Sequence, residues 1–327
     1  MNPSSKKRLY IILTVLLAVI FVGVMIAVYF WEEDHSDFES PSDFEMAGVL
    51  TYNGENYVVR EDVQTLLVIG LDTFKSEDDS ADSYNNDKCA DFLALFVFDR
   101  SAKKYSVIAL NRDTITDVTV LGVGGQKIGT VEQQIALSHT YGSGSDDSCR
   151  NTARAVSKVF GGMRIDRYVS LTMDAVATIN DIVGGVTVTV TEDMTEIDPS
   201  LQKGATVTLH GDLALKYVRA RASLEDKTNA SRMERQKQYM DALADSLIAY
   251  SKENESFTFS EITEVTKYMV SDLSGNEMDR LIDELPELEK EDICALDGEF
   301  RVGKYMEFYP YEKSVKEILI KYFYKVK

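Results

Sequence analysis

The sequence predicts an α/β protein: a three-layer α/β/α domain around a central mixed sheet, preceded by one transmembrane helix. Three observations predict it. Short apolar runs of the kind found in strands buried on both faces alternate with stretches of helical period. A hydrophobic content of 44% supports a packed core in the residues that follow the N-terminal region. From Leu9 to Trp31 the chain is apolar apart from Thr14 and Gly23. At about 1.5 Å per residue that run crosses the ~30 Å hydrocarbon core of a bilayer.

Taken in order, residues 1–8 form a basic tail with Lys6, Lys7 and Arg8, and Glu32, Glu33 and Asp34 follow the apolar run. The positive flank predicts a cytoplasmic N-terminus, and Tyr29 and Trp31 suit the far interface. A cleaved secretory signal needs a shorter apolar core and a small-x-small site. Ala27-Val-Tyr-Phe-Trp31 offers neither, so residues 9–31 read as a retained anchor in the cell membrane. Residues 32–62 read as an acidic tether and approach segment, and 63–327 as an extracytoplasmic domain.

Within that domain Leu66-Leu-Val-Ile-Gly70 and Phe92-Leu-Ala-Leu-Phe-Val-Phe98 predict buried strands. Asp99-Arg-Ser-Ala-Lys-Lys104 predicts a hairpin turn into Tyr105-Ser-Val-Ile-Ala-Leu110. Residues 130–140 and 147–160 predict helices, and Tyr168-Val-Ser-Leu171 a short strand. Residues 173–183 predict an amphipathic helix closed by Gly184-Gly185, and Val186-Thr-Val-Thr-Val190 a β-branched strand. Helical period returns in two pieces from 211 to 251, with Met240, Leu243 and Leu247 on one stripe. Ser274 and Glu277 form a capping-box pattern before another helix.

The formal charge of −19 argues against a nucleic-acid binder and makes any local group of cations conspicuous. Cys89, Cys149 and Cys294 are too few for a disulfide scaffold and lack metal-ligand spacing. Because Cys89 and Cys149 lie in polar, loop-like stretches outside the cytoplasm, a bridge between them is expected. His35, His139 and His210 have no metal-ligand neighbours, so zinc sites and Ser-His-Asp triads are disfavoured. Gly122-Val-Gly-Gly-Gln-Lys127 lacks the glycines and the Lys-Ser/Thr of phosphate loops and reads as a turn. Gly142-Ser-Gly-Ser145 has its serines out of register for a nucleophile elbow.

Arginines and aspartates remain. Arg112 follows one strand; Arg219 and Arg221 close one helical piece, and Arg232, Arg235 and Gln236 open the next. Helix N-termini favour phosphate, and the planar arginine fork binds phosphate oxygens bidentately. A salt-bridged surface with partners such as Glu225 and Asp226 explains the spacing equally well. Asp72, Asp91 and Asp113 fall at strand ends, where α/β sheets bind ligands and where paired carboxylates hold Mg²⁺. Read singly, each is an ordinary turn residue.

Taken together these residues resemble the LytR-CpsA-Psr family of cell-wall glycopolymer transferases. The matching pieces run in order: Leu66-Leu-Val-Ile-Gly-Leu-Asp72, Ala90-Asp-Phe-Leu-Ala-Leu95, Val107-Ile-Ala-Leu-Asn-Arg-Asp-Thr114 and Lys127-Ile128. Asp181-Ile-Val-Gly-Gly-Val186, Leu209-His-Gly-Asp-Leu-Ala-Leu-Lys-Tyr-Val-Arg-Ala-Arg221 and Ser231-Arg-Met-Glu-Arg-Gln236 complete the series. The last ~80 residues carry no motif that aligns.

The resemblance implies a phosphotransferase. It would move a polyprenyl-pyrophosphate-linked glycopolymer, such as teichoic acid or capsule, onto a peptidoglycan hydroxyl and release polyprenyl phosphate. It implies Mg²⁺, with Mn²⁺ as a substitute, at Asp72 and Asp91, either of which would take the hydroxyl proton. It implies that Arg112, Arg219, Arg221, Arg232, Arg235 and Gln236 bind the pyrophosphate, and that a hydrophobic cavity takes the isoprenoid. The chain departs from the family pattern at Cys89, where arginine is usual, and at Asn111, where proline is usual. Insertions lengthen 75–87 and the span from Arg221 to Arg232. The departures at Cys89 and Asn111 favour one alternative, a non-catalytic wall-binding scaffold; a polyprenyl pyrophosphatase using the same site with water as acceptor is another.

Overall fold

In the computed structural model the described residues are 49–71, 89–219, 235, 238–239, 242–243, 245–246, 249–250, 264–265, 267–274, 277, 284, 288–303 and 305–327. They fall in two compact units. The larger holds 49–172, 270–274 and 288–327, and the smaller 173–269, 277 and 284. The expected anchor at 9–31 lies outside the described residues. Among the described residues no helix is long and apolar enough to cross a membrane.

The larger unit is built on a six-stranded mixed sheet, which bears out the α/β class. Its members are β3 (Val63–Leu71), β4 (Ala90–Asp99), β5 (Lys104–Leu110), β8 (Arg167–Thr172), β11 (Met269–Ser271) and β12 (Glu289–Ala295), ordered β11-β8-β3-β4-β5-β12. β3 pairs antiparallel to β4 and parallel to β8; β5 pairs antiparallel to β4 and parallel to β12. The central strands are buried on both faces, Leu67, Leu95 and Ile108 on one and Leu66, Phe96 and Val107 on the other. This is why their apolar runs are unbroken. One face forms a core with α1 (Asp146–Val159) and α4 (Glu312–Phe323), through Ala153, Val156, Phe160, Ile318 and Phe323.

Three further ladders surround the sheet. β1 (Val49–Tyr52), β2 (Glu55–Val59) and the C-terminal β15 (Tyr324–Val326) form a small antiparallel sheet. Part of the approach segment 32–62 is therefore structured. β6 (Ile115–Leu121) pairs with β7 (Lys127–Gln134), and β13 (Gly298–Val302) pairs with β14 (Met306–Pro310). The Gly122–Lys127 motif is the turn of the β6–β7 hairpin, closed by the Gly122 amide donating to the Gln126 carbonyl at 2.8 Å.

Two expectations are overturned here. Residues 130–140 are not a helix: β7 runs to Gln134, and a 3-10 turn follows at Ile135–Thr140. Pairing of Val131 and Thr130 with Val118 and Thr119 supplies both backbone bonds and β-branched contacts, which outweigh local helical period. The Cys89–Cys149 bridge is absent, and all three cysteines are thiols. Cys149 is not in a loop but fully buried in α1, its Sγ 3.6 Å from Nε2 of buried His139. Burial pushes its thiol far above the ordinary cysteine value, against a smaller opposing bond from Ser170. A protonated thiol is a poor nucleophile, so this Cys–His contact is structural. Iodoacetamide at neutral pH is expected to modify half-buried Cys89 and Cys294 in the native protein and leave Cys149 untouched until it unfolds. Peptide mass spectrometry reads this, and equal labelling of Cys149 would contradict it.

The smaller unit contains α2 (Met173–Ile182), the antiparallel pair β9 (Val186–Thr189) and β10 (Thr206–Leu209), and α3 (Gly211–Arg219). Residues 235, 238–239, 242–243, 245–246 and 249–250 are also helical. Of the stripe read at 240, 243 and 247, Leu243 is buried and the others lie outside the described residues. α2 ends where the Gly185 amide reaches back to the Asn180 carbonyl at 2.8 Å, with Gly185 at φ +95°. A Cβ there would come within 2.5 Å of the His210 ring, so only glycine fits. Asp181 then accepts the Gly211 amide at 2.7 Å, satisfying one orphan donor at the start of α3.

Candidate functional site

Because β8, β3, β5 and β12 run one way and β4 runs against them, Leu71, Leu110, Thr172 and Ala295 end on the edge where β4 begins. Asp91 is the second residue of β4, and Arg112 stands two residues beyond β5. Their side chains form an ion pair, Arg112 Nη1 to Asp91 Oδ1. On its other side, Arg112 Nε lies 3.7 Å from Asp113 Oδ1. The three side chains are 33%, 24% and 18% exposed, so the guanidinium sits between two carboxylates yet still meets water. Its fork carries five N–H donors, and those turned to solvent suit an incoming phosphate oxygen.

The turn that holds Arg112 is set by Asn111. Its side-chain oxygen accepts the Asp113 amide at 2.9 Å, and its carbonyl accepts the Thr114 amide at 3.1 Å and hydroxyl at 2.6 Å. This is an Asx turn, in which asparagine mimics a backbone turn. Asn111 thus fixes the bend by hydrogen bonds. Gln134 Nε2 donates to Asp113 Oδ1 at 2.9 Å and to the Met306 carbonyl at 2.7 Å.

The second expected set lies in the smaller unit. Arg235 is 1% exposed and ion-paired with Glu192, and its Nε donates to the Tyr217 carbonyl at 3.3 Å, in the last turn of α3. A cation there complements the negative end of the helix dipole. The Tyr217 hydroxyl donates to Gln238 at 2.6 Å, and Gln238 donates to the Thr189 carbonyl at 2.7 Å. Burial raises the Tyr217 pKa, opposed by nearby Arg235. Arg219 ends α3, with only its backbone described. Asp72, Arg221, Arg232 and Gln236 lie outside the described residues, as do Glu225 and Asp226.

Sequence reasoning missed Glu192 and Gln134. Glu192 lies 43 residues from Arg235, and nothing local marks it. Gln134 fell in the span read as helix. In Gly142–Ser145, Ser143 Oγ donates to Asp147 in the first turn of α1 at 2.6 Å. At the opposite edge of the sheet a cleft of about 410 Å³ is lined by Arg60, Thr65, Met163, Arg164 and Phe323. Its arginines are already engaged, Arg60 by Asp62 at 2.8 Å and Asp99 at 2.6 Å, and Arg164 by Asp166 at 2.5 Å.

Among the described residues no three His, Cys, Asp or Glu side chains are arranged to hold a metal. Among the described residues the carboxylates at the Arg112 edge are Asp91 and Asp113, and with Asp113 tied to Gln134 it is Asp91 that offers a hard donor. That suits Mg²⁺, which keeps several waters and takes one or two carboxylates plus substrate phosphates.

The LytR_cpsA_psr family model matches residues 32–319. Biofilm regulatory protein A of Streptococcus mutans is 24% identical over 246 residues, 72% of this chain and 57% of that protein. The chain therefore spans little more than half the length of that relative. Among solved structures, protein gbs0355 from Streptococcus agalactiae superposes with a TM-score of 0.60 at 18% identity, covering 80% of this chain and 86% of that one. B. subtilis TagV gives 0.54 at 19% identity over 80% of this chain and 98% of that one. TagT bound to LI-WTA gives 0.54 at 20% identity over 80% and 89%. At these identities the superpositions show a shared fold.

Proposed function

The chain belongs to the LytR_cpsA_psr family, and from that premise we propose that it is a wall-glycopolymer phosphotransferase whose larger unit carries Asp91 and Arg112 at the reacting centre. The donor is a polyprenyl-pyrophosphate-linked anionic glycopolymer and the acceptor a peptidoglycan hydroxyl. The observation that carries this is the Arg112–Asp91 pair, which puts a cation and a carboxylate on one sheet edge within reach of water. The solved TagT complex carries LI-WTA, which supports a glycopolymer as the ligand class.

In the proposed reaction the acceptor oxygen forms a bond to the phosphorus that carries the sugar. The bridging P–O bond of the diphosphate breaks, and polyprenyl phosphate leaves with the electron pair. The acceptor proton passes to Asp72 or Asp91. Such transfer needs little covalent help and is accelerated by alignment and by neutralising charge on the phosphoryl oxygens. Arg112 supplies that neutralisation through a fork aimed by two carboxylates. When bound at Asp91 and Asp72, Mg²⁺ would supply further charge neutralisation. Arg219, Arg221, Arg232 and Gln236 are assigned to the pyrophosphate on their motif alone; Arg235, expected there too, is 1% exposed and held by Glu192. The apolar run 9–31 would hold the chain in the membrane that carries the donor, with the domain outside.

Departures at Cys89 and Asn111 both favour a scaffold lacking chemistry; the Asx turn answers the second, because Arg112 is still presented. Titrating the full chain in nanodiscs with Mg²⁺ and inorganic pyrophosphate by calorimetry is expected to give saturable heat below millimolar pyrophosphate. No heat at millimolar ligand would favour the scaffold.

A further inference from the structure

We propose that Asp113 and Gln134 are positioning residues for Arg112, and that through Gln134 the C-terminal hairpin β13–β14 sets the aim of the guanidinium; this rests on the transferase function proposed above. Gln134 Nε2 meets two acceptors, a carboxylate oxygen of Asp113 at 2.9 Å and the Met306 carbonyl at 2.7 Å. Only the amide nitrogen can serve both, so its orientation is fixed by chemistry. Asp113 spends the same oxygen on Gln134 and on the Nε side of Arg112, which leaves the Nη side for Asp91 and substrate.

The backbone is held as firmly. The Phe308 amide donates to the Asp113 carbonyl at 2.9 Å, the Ala136 amide to the Arg112 carbonyl at 3.1 Å and the Ile135 amide to the Thr114 carbonyl at 2.7 Å. Thr114 is fully buried and bridges to Phe308. Phe308 belongs to the core and packs on Phe300 with ring centroids 4.9 Å apart. A continuous path of bonds therefore runs from the core through Phe308 and Met306 to Gln134, Asp113 and Arg112. It assigns work to a segment that carries no aligned motif. It also separates Asp113 from Asp91: a carboxylate tied to an amide and an arginine is a brace, not an open metal donor.

Gln134→Glu and Gln134→Met test this in the full chain reconstituted in vesicles. The ionisable groups on the elements packed against position 134 are Asp113 and Arg112 on the turn, Asp117 on β6, Lys127 and Glu132 on β7, His139 on the 3-10 turn, and Glu307 and Tyr309 on β14. Ionised glutamate at 134 would face Asp113 with no proton to donate, and a displaced Arg112 is expected to lower kcat on the order of a hundredfold and to weaken donor binding with it. As pH falls, the like-charge neighbour favours protonation, and the carboxylic acid then donates its single proton to Asp113, restoring one of the amide's two bonds. The Q134E deficit is thus expected to shrink at acid pH, while that of Q134M stays constant relative to wild type. Wild-type kcat in Q134M, or a Q134E profile parallel to wild type, would overturn the brace.

Asp113→Asn keeps the shape of the turn and is expected to lower kcat even if a position-134 variant does not fold; wild-type kcat there also overturns the brace. A wild-type chain without transfer activity indicts the transferase reaction instead. The brace is then read from pyrophosphate affinity, expected to weaken in Q134M and unchanged if the brace is wrong.

Discussion

Arg112→Ala is expected to lower the transfer rate about a thousandfold, the scale of a phosphate-binding arginine that acts in the transition state. The fold should barely register the change. Arg112 and Asp91 are both partly exposed, and pairs of that kind contribute under about 1 kcal/mol to stability. Asp113 and the Asn111 turn bonds stay in place, so the strand end keeps its geometry. Arg112→Lys keeps the charge but loses the fork, and is expected to fall between wild type and alanine. Asp91→Asn should also lower the rate, since it removes a carboxylate from the reacting edge and leaves Arg112 held from one side. Single-turnover kinetics beside thermal melts check both halves. A large loss of melting temperature with proportional loss of activity would recast the pair as structural.

Glu192→Ala should do the opposite, costing stability first. Arg235 is 1% exposed while the Glu192 side chain is 20% exposed, so removing the glutamate takes the charge partner from a guanidinium held away from water, although the bond to the Tyr217 carbonyl stays. Breaking a buried pair from that side costs about 3–5 kcal/mol. Arg235→Met fills similar space and leaves the unpaired carboxylate on the partner that still meets solvent, so it should cost less. Calorimetric melting of the two variants gives the order directly. If Arg235→Met proves the more damaging, the bond to the Tyr217 carbonyl outweighs the ion pair.

The contrast between these arginines shows what the sequence could convey. Leu66–Gly70, Phe92–Phe98 and Tyr105–Leu110 were legible as strands because burial on both faces leaves an unbroken apolar run. β7 was not legible, because most of its residues face water and its identity comes from pairing with β6. β12 and β15 join β5 and β2 across most of the chain length, so no local window contains the signal that orders them. At the site, Asp91 and Arg112 were legible as strand-end residues of opposite charge. Their braces were not: Gln134 acts through a neutral amide, and the residue type of Asn111 does not show that its side chain closes the turn. Arg235 carried the same phosphate signal as Arg112, and only its 1% exposure and Glu192 distinguish the two.

The proposed transfer is measured most directly in vesicles containing the full chain, a polyprenyl-pyrophosphate-linked glycopolymer, Mg²⁺ and a peptidoglycan acceptor. Wild type should release polyprenyl phosphate in step with glycan that becomes bound to the acceptor, and Arg112→Ala should stop both. Phosphate release of equal rate without acceptor, or acceptor labelling undiminished in Arg112→Ala, would contradict it.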